Sequence, residues 1–150
     1  MTAAIIRKAI VEDATRLSVI ARAAYAKYVV RMGREPPPMC ADFPALIASG
    51  LVVVIERAGQ PCGYMIAWPE ADAYLIDNLA VDPARQGNGF GRLLVRHAVS
   101  EARRLNLPAV RLYTNVTMTE NLDIYRYLGF IETHRAFEDG LHRVHMRLTL

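Results

Sequence analysis

The stretch from Asp77 to Leu94 constrains this chain more than any other part of its sequence. It reads as a strand that stops at Asp82-Pro83, then a loop with alternating glycines at Gly87, Gly89 and Gly91, and then the start of a helix. Glycines let a backbone approach a phosphate closely and turn consecutive amides toward it, while a helix N-terminus adds unpaired N–H donors and partial positive charge. The stretch therefore predicts a binding site for an anion.

Two common types of phosphate loop do not fit this spacing. A Walker loop requires G-x-x-x-x-G-K-[ST], and a dinucleotide fingerprint requires G-x-G-x-x-G with an acidic residue about 20 positions later. The alternating glycines meet neither pattern, and the region at that distance is Val110-Arg111-Leu112. A tight turn without a ligand would need one glycine rather than three. Arg85 and Arg92 flank the loop and are candidates for additional phosphate contacts.

The composition is that of an ordinary globular protein. The chain has 150 residues, of which 53% are hydrophobic and 22% are charged, and a chain of this length can form a core without metal or disulfide staples. The two cysteines, Cys40 and Cys62, form neither a disulfide framework nor a metal motif, which favours a cytoplasmic location. Neither a membrane-spanning run nor a signal peptide is recognisable. We therefore expect one domain, residues 1–150, and no membrane association.

Charge and histidine placement argue against two other classes of partner. The net charge of +3 favours anionic ligands in general, but the basic residues are scattered, and no helix-turn-helix or RNP-type pattern accompanies them. Nucleic acid is therefore not an expected partner. His142 and His145 are three positions apart on a predicted strand and would face opposite sides. No metal site is expected.

Hydrophobic periodicity predicts an alternation of strands and helices. Strands are expected, in chain order, at 4–9, 51–57, 62–68, 73–81, 110–114, 130–137 and 142–149. Helices are expected from Glu12 to about Val30, and over 42–49, 92–105 and 120–128. The fourth and fifth strands are joined by a helical crossover and should be parallel, whereas the last two should form an antiparallel hairpin.

Two segments resemble the GCN5-related N-acetyltransferase (GNAT) family. Gln86-Gly87-Asn88-Gly89-Phe90-Gly91 matches the pattern Q/R-x-x-G-x-G/A of the family's cofactor loop, and residues 121–130 carry an asparagine followed by Tyr125, four residues before Gly129-Phe130. The order of elements is also similar. The resemblance implies an α/β (α+β) fold: a twisted, mixed, mostly antiparallel sheet of six to seven strands with one splayed parallel pair and about four flanking helices.

The same resemblance implies where acetyl-CoA would bind. Its arm would lie in a cleft where the strands containing Leu79–Val81 and Arg111–Asn115 splay apart, pairing with the backbone of the first strand. Its pyrophosphate would lie on the amides of Gly87 to Arg92, and Asn121 would contact the arm. The implied cofactor-binding residues are Leu79, Ala80, Val81, Gln86, Gly87, Asn88, Gly89, Phe90, Gly91, Arg92, Asn121 and Tyr125.

The chemistry of acetyl transfer to an amine defines three further roles. An amine with a pKa near 10.4 is mostly ammonium at pH 7, so forming the neutral nucleophile costs about 4.6 kcal/mol. The oxyanion formed on attack needs an amide donor, for which the resemblance implies the Val81 N–H. The departing thiolate benefits from an acid. Tyr125 is the candidate, because the resemblance implies that it lies on the helix facing the cofactor and because a phenol with a pKa near 10 is still protonated when the thiolate leaves. A core tyrosine without a catalytic role is the alternative for Tyr125. The neighbouring Tyr127 is expected in the core.

The base and the acceptor contacts are less constrained by the sequence. Asp77 is the candidate base, although one residue of strand register decides which side its carboxylate faces. The alternative is a water chain that carries the proton away. Arg31 and Arg34 lie on a loop stiffened by Pro36-Pro37-Pro38 and are candidates to hold a carboxylate-bearing amine. Solvated charges on a surface loop are the alternative for that pair.

The predicted function is that of an acetyl-CoA-dependent N-acetyltransferase acting on a primary amine by direct attack in a ternary complex. No cysteine lies in the matched motifs, which disfavours an acyl-cysteine intermediate. A non-catalytic module that senses acyl-CoA is the alternative. The acceptor, a small-molecule or peptide amine, is not specified by the sequence, and the resemblance is also consistent with a homodimer.

Overall fold

A seven-stranded sheet organises the computed structural model, which describes residues 3–150. The strands are β1 (Ala4–Lys8), β2 (Val52–Arg57), β3 (Gln60–Pro69), β4 (Tyr74–Val81), β5 (Ala109–Asn115), β6 (Ile131–Glu138) and β7 (Leu141–Thr149). Their order is β1-β2-β3-β4-β5-β7-β6. The parallel pair joins Tyr74–Ile76 of β4 with Val110–Leu112 of β5, and the pairings of β1 with β2, β2 with β3, β5 with β7 and β6 with β7 are antiparallel. The expected fold class is confirmed.

Five α-helices accompany the sheet within residues 3–150: α1 (Ala14–Tyr25), α2 (Tyr28–Met32), α3 (Phe43–Ala48), α4 (Phe90–Arg104) and α5 (Thr119–Tyr127). The expected first helix is divided because the Val29 N–H bonds to the Ala26 carbonyl at 3.2 Å, a tighter i to i−3 contact than an α-helix uses. Gly33 then ends α2 at a φ of 72°. In the part of the chain that the structure describes, no helix has the length and apolarity needed to cross a membrane.

The chain divides into two compact units, each with buried apolar side chains. The first comprises the chain up to Ala67 together with Asn78–Val95, and the second comprises Trp68–Asp77 together with Arg96–Leu150. Large side chains buried in the first unit include Leu17, Ile20, Phe43, Ile55, Tyr64 and Phe90. Those buried in the second include Ile76, Leu112, Leu122, Val144 and Met146.

An ion-pair network anchors β1 in the first unit. The Asp13 carboxylate accepts hydrogen bonds from both terminal nitrogens of Arg7, at 2.8 and 3.0 Å, and from the Ile10 N–H at 2.8 Å. Arg7 Nε also donates to Glu56 at 2.9 Å. The hydrogen bond from Arg7, assisted by that from the Ile10 backbone, lowers the pKa of Asp13. Because Asp13 is only 7% exposed, this carboxylate is held more firmly than a surface partner would be.

Replacing Asp13 with asparagine should destabilise the protein in a pH-dependent way. We expect a loss of about 1–2 kcal/mol in the free energy of unfolding at pH 7, because a charged acceptor at a helix start is removed. The folded-state pKa lies below the ordinary value of 3.8, so the wild-type advantage is present above that pH and is lost as pH falls through the folded-state pKa. Urea titrations between pH 7 and pH 2 measure the difference.

Asp139→Asn is the matched control, since that side chain is 82% exposed and pairs with Arg143 at 3.1 Å. It should change stability by less than about 0.5 kcal/mol. A wild-type advantage over Asp13→Asn that stays constant down to pH 2 would contradict the assignment.

Candidate active site

The loop between β4 and α4 has the backbone shape of an anion-binding loop. Gly87 and Gly89 have φ values of 88° and 78°, a region that L side chains rarely adopt. A Cβ atom at either position would meet nothing within 4 Å, so glycine is required here by the conformation and not by lack of space. The 15-residue helix α4 starts at Phe90, and its first N–H groups have no partners within the helix. Residues 86–89 are exposed, which makes these amides accessible.

The end of β4 is held on its β3 side by close backbone contacts within the first unit. The Asp82 N–H donates to the Cys62 carbonyl at 2.7 Å. The Ala80 carbonyl oxygen lies so near β3 that a Cβ atom on Gly63 would be only 2.7 Å from it. Since a strand directs alternate peptide groups to opposite edges, both observations place the backbone groups of Ala80 on the β3 side.

The opposite edge of this segment therefore carries the backbone groups of Leu79 and Val81. The Tyr25 hydroxyl, from the last residue of α1, donates to the Leu79 carbonyl at 3.0 Å. Gln86 Nε2 donates to the Val81 carbonyl at 3.5 Å. Both carbonyls thus accept a hydrogen bond from a side chain. The Val81 N–H points away from β3, which is the direction required for donation to a ligand that lies along this edge.

Charges around the loop are arranged to tolerate an anion. Asp82 begins the 3₁₀ turn Pro83–Arg85 by accepting from the Ala84 N–H at 3.0 Å. Its other carboxylate oxygen accepts from Arg16 of α1 at 2.5 Å, so the negative charge nearest the loop is paired with a cation and repels an anion less. Arg85 reaches the Cys62 sulfur at 3.4 Å.

Not every predicted side chain in the loop is presented to solvent. Phe90 is 1% exposed, and the Arg57 guanidinium lies 4.8 Å from its ring centroid, so only the Phe90 backbone remains available to a ligand. Asn88 uses its side-chain amide to cap the loop, donating to the Arg85 carbonyl at 2.8 Å. Arg92, in the first turn of α4, is exposed.

In the second unit, Asp77 lies beside a tyrosine that the sequence analysis missed. The Tyr113 hydroxyl donates to Asp77 Oδ1 at 2.5 Å. Burial, and then the hydrogen bond to Asp77, raises the pKa of Tyr113 well above its usual range, so this phenol stays a donor at neutral pH. The Arg143 guanidinium covers the Tyr113 ring at 4.4 Å. The alternation of Arg111, Tyr113 and Asn115 with buried residues was the available signal for this polar side of β5.

A stacked histidine pair, in which His145 is buried and His134 is exposed, accompanies this cluster. His145 is 8% exposed, its Nε2 lies 2.7 Å from Glu138, and its ring stacks on His134 with centroids 4.2 Å apart. The contact with His145 lowers the pKa of Glu138. His142, by contrast, is exposed. Within residues 3–150, no group of three His, Cys, Asp or Glu side chains is placed to hold a metal ion.

Tyr125 and Asn121 lie on α5, also in the second unit. Tyr125 is half-buried and packs edge-on against Phe130, with centroids 5.7 Å apart. Asn121 Nδ2 donates to the Met118 sulfur at 3.7 Å. The expectation that Tyr127 lies in the core is wrong, because its side chain is 84% exposed. It follows the buried Leu122 by five positions, which at about 100° per residue places it well off the buried face.

The predicted acceptor residues lie at the end of α2. The Arg31 guanidinium is 5.3 Å from the Tyr28 ring centroid, and Arg34 is exposed just after the turn at Gly33. The loop that follows is tied back to α1 by Arg22, which donates to the Met39 carbonyl at 3.1 Å and pairs with Glu35 at 3.6 Å.

The closing hairpin of the second unit carries a surface cavity of about 280 Å³, lined by Val116, Arg135, Ala136, Phe137, His142 and Arg143. The Phe137 side chain is 67% exposed and lies against the His142 ring at 4.7 Å. An exposed aromatic ring beside arginines suits an organic ligand with an anionic group.

Comparison with known proteins gives one consistent family. Residues 48–132, which include the glycine loop and Tyr125, match the family model described as an acetyltransferase (GNAT) domain. Over 116 residues the chain is 30% identical to the peptidyl-lysine N-acetyltransferase YjaB of Salmonella typhimurium, in an alignment that covers 77% of this chain and 72% of that protein.

Solved structures share the fold over almost the whole chain. The PaiA N-acetyltransferase of Thermoplasma acidophilum, solved in complex with coenzyme A, superposes with a TM-score of 0.81 at 16% identity and covers 99% of both chains. The ribosomal-protein-S18-alanine N-acetyltransferase of Escherichia coli gives a TM-score of 0.75 at 20% identity, covering 98% of this chain and 94% of that one. At these identities the likeness shows the fold.

Proposed function

The chain belongs to the GNAT family of N-acetyltransferases, and we propose that it transfers the acetyl group of acetyl-CoA directly to a primary amine within a ternary complex. The observation that carries the proposal is the β4–α4 loop, in which Gly87 and Gly89 at φ values of 88° and 78° lead into a 15-residue helix. We assign residues 1–150 to a single acyl-CoA N-acyltransferase domain. The cytoplasmic location and the homodimer stay predictions.

The residues of the first unit fit acetyl-CoA, which when bound supplies a thioester as acyl donor. The amides from Gly87 to Arg92 suit its diphosphate, because a helix N-terminus presents several N–H groups at once. The neutralisation of Asp82 by Arg16 lessens repulsion of that diphosphate. The β4 edge formed by Leu79 and Val81 suits the amide-rich arm, which pairs as an added strand would. Asn121 is proposed as a further polar contact.

Three groups of this chain carry the proposed chemistry. The Val81 N–H donates to the oxygen on which negative charge develops, and its orientation away from β3 supports that role. Tyr125 donates a proton to the departing sulfur. Asp77 accepts a proton from the ammonium, directly or through water, and the 2.5 Å hydrogen bond from Tyr113 fixes its carboxylate for that task.

We propose a peptide or small-molecule amine as the acceptor, and the similarity to a peptidyl-lysine acetyltransferase supports a lysine side chain. Arg31 and Arg34 would hold a carboxylate of that acceptor, and the anchoring of their loop by Arg22 limits the entropy lost on binding.

Thiol release from acetyl-CoA tests the proposal. The wild-type protein is mixed with acetyl-CoA and a panel of lysine peptides, peptide N-termini, amino acids, polyamines and aminoglycosides. We expect free coenzyme A well above the hydrolysis background with at least one class. Calorimetric binding of acetyl-CoA without release by any amine would favour the sensing module instead. Absence of binding at millimolar coenzyme A would refute both functions.

Tyr125→Phe should slow turnover by about 100-fold, because a general acid typically contributes that much or more. The dissociation constant for acetyl-CoA should stay within about twofold of wild type, since the ring is retained. Tyr127→Phe is the control on the same helix, because its side chain is 84% exposed, and it should leave the rate unchanged. A wild-type rate for Tyr125→Phe would remove Tyr125 from the mechanism.

Replacing Arg31 and Arg34 together with alanine should raise the KM of a carboxylate-bearing acceptor by about 10-fold or more, the usual cost of losing a charge-assisted hydrogen bond. The KM for acetyl-CoA should not change. Arg103→Ala with Arg104→Ala removes the same charge from exposed positions of α4 and should have no effect on either constant. Equal acceptor KM values in the two double variants would assign Arg31 and Arg34 to the solvated surface.

A further inference from the structure

We infer that Tyr25 is a positioning residue for acetyl transfer, one that holds the end of β4 so that the Val81 N–H stays aimed at the reacting oxygen. Neither the sequence motifs nor the roles proposed above involve this tyrosine. The inference rests on the proposed function, because it gives a task to a residue that contacts the strand edge assigned to acetyl-CoA.

Tyr25 is placed to act on β4 rather than to fill space alone. It is 7% exposed, and its hydroxyl donates to the Leu79 carbonyl at 3.0 Å. A ring that only packed would need no hydroxyl, and a buried hydroxyl carries a desolvation cost unless it forms such a bond. Leu79 in turn lies two positions before Val81 on the strand.

A second contact shows that α1 runs along this segment. Arg16, near the start of α1, bonds to Asp82, and Tyr25, at its end, bonds to Leu79. Nine helical steps cover about 13 Å, and three strand steps cover about 10 Å. The helix α1 therefore runs antiparallel to residues 79–82 and contacts this segment at both of its ends.

Contacts of this segment hold three successive peptide groups, the first and the third of them through hydrogen bonds. The first, between Leu79 and Ala80, is held through its carbonyl by Tyr25. The second, between Ala80 and Val81, contains the Val81 N–H and faces β3 through its carbonyl. The third, between Val81 and Asp82, is held by Cys62 and Gln86. Without the Tyr25 bond, the first group is held only on its β3 side, and the dihedral angles at Ala80 that orient the Val81 N–H are less tightly set.

The Tyr25 hydrogen bond also improves the electrostatics of the edge. The Leu79 carbonyl presents its negative end on the same edge as the Val81 N–H. Where negative charge develops on a ligand beside that edge, a bare carbonyl dipole would oppose it. The hydrogen bond from the Tyr25 hydroxyl offsets this dipole. Because the hydroxyl is already in place before the reaction, the edge needs no rearrangement to stabilise the developing negative charge.

Tyr25→Phe separates this role from simple packing. We expect turnover to fall about 10-fold, less than the loss of an oxyanion donor itself, because Tyr25 acts through Val81. Coenzyme A affinity measured by calorimetry should stay within about threefold, and the shape of the pH–rate profile should not change, because Tyr25 exchanges no proton with substrate. Amide hydrogen exchange at Ala80 and Val81 should accelerate several-fold.

Tyr64→Phe is the matched control. Tyr64 is a fully buried tyrosine of β3 whose ring packs on Phe43 at 5.1 Å, so its variant also loses a buried hydroxyl from the first unit. It should leave turnover and exchange at Val81 unchanged, because phenylalanine keeps the ring that packs on Phe43.

The outcomes distinguish the inference from the proposed function. Wild-type turnover or wild-type exchange at Ala80 and Val81 in Tyr25→Phe would overturn the role of Tyr25 while leaving acetyl transfer intact. Equal losses in Tyr25→Phe and Tyr64→Phe would reduce Tyr25 to a packing residue and also overturn the inference. A wild-type protein that neither binds coenzyme A nor releases thiol would overturn the proposed function, and this inference with it.

Discussion

The alternation of peptide groups at the end of β4 is the constraint on which the rest of the first unit depends. One edge pairs with β3, so the groups of Leu79 and Val81 must find partners elsewhere or pay the cost of unsatisfied backbone. Their carbonyls are satisfied by Tyr25 from α1 and Gln86 from the loop. The helix, the strand and the loop are therefore joined by hydrogen bonds whose directions follow from one strand's pleat.

This arrangement also resolves an electrostatic conflict in the sequence. Asp82 is needed to begin the turn after β4, since its side chain caps the Ala84 N–H, yet a carboxylate beside an anion site is unfavourable. Arg16 pairs with it at 2.5 Å, so the capping geometry is kept and the local negative charge is offset. One helix thus provides both Arg16 and Tyr25, and the two contacts fall on either side of the Val81 amide.

Features that depend on local sequence could be predicted from the sequence, whereas features that depend on tertiary contacts could not. The glycine loop, the parallel pair of β4 and β5, and the closing hairpin follow from backbone preferences and periodicity that a single sequence displays. The exposure of Tyr127 depends on which side of the nine-residue helix α5 packs on the core. The structure shows that this side contains Leu122. The hydroxyl partners of Tyr25 and Tyr113 are 54 and 36 residues away in sequence, so no local pattern indicates either hydrogen bond.

The interruption between α1 and α2 separates the contact of α1 with β4 from the segment that carries Arg31 and Arg34. Since α1 ends at Tyr25, the contact with β4 is complete before the chain reaches Arg31 and Arg34. The break in i to i−4 bonding at Val29 means that changes in the following loop need not be transmitted along a continuous helix to Leu79. Proteins similar to this chain are named for different acceptors, a peptidyl lysine in one and the alanine of ribosomal protein S18 in another. The strand edge proposed for the donor is held by α1, and the loop proposed for the acceptor begins after the break, so substitutions in one need not disturb the other.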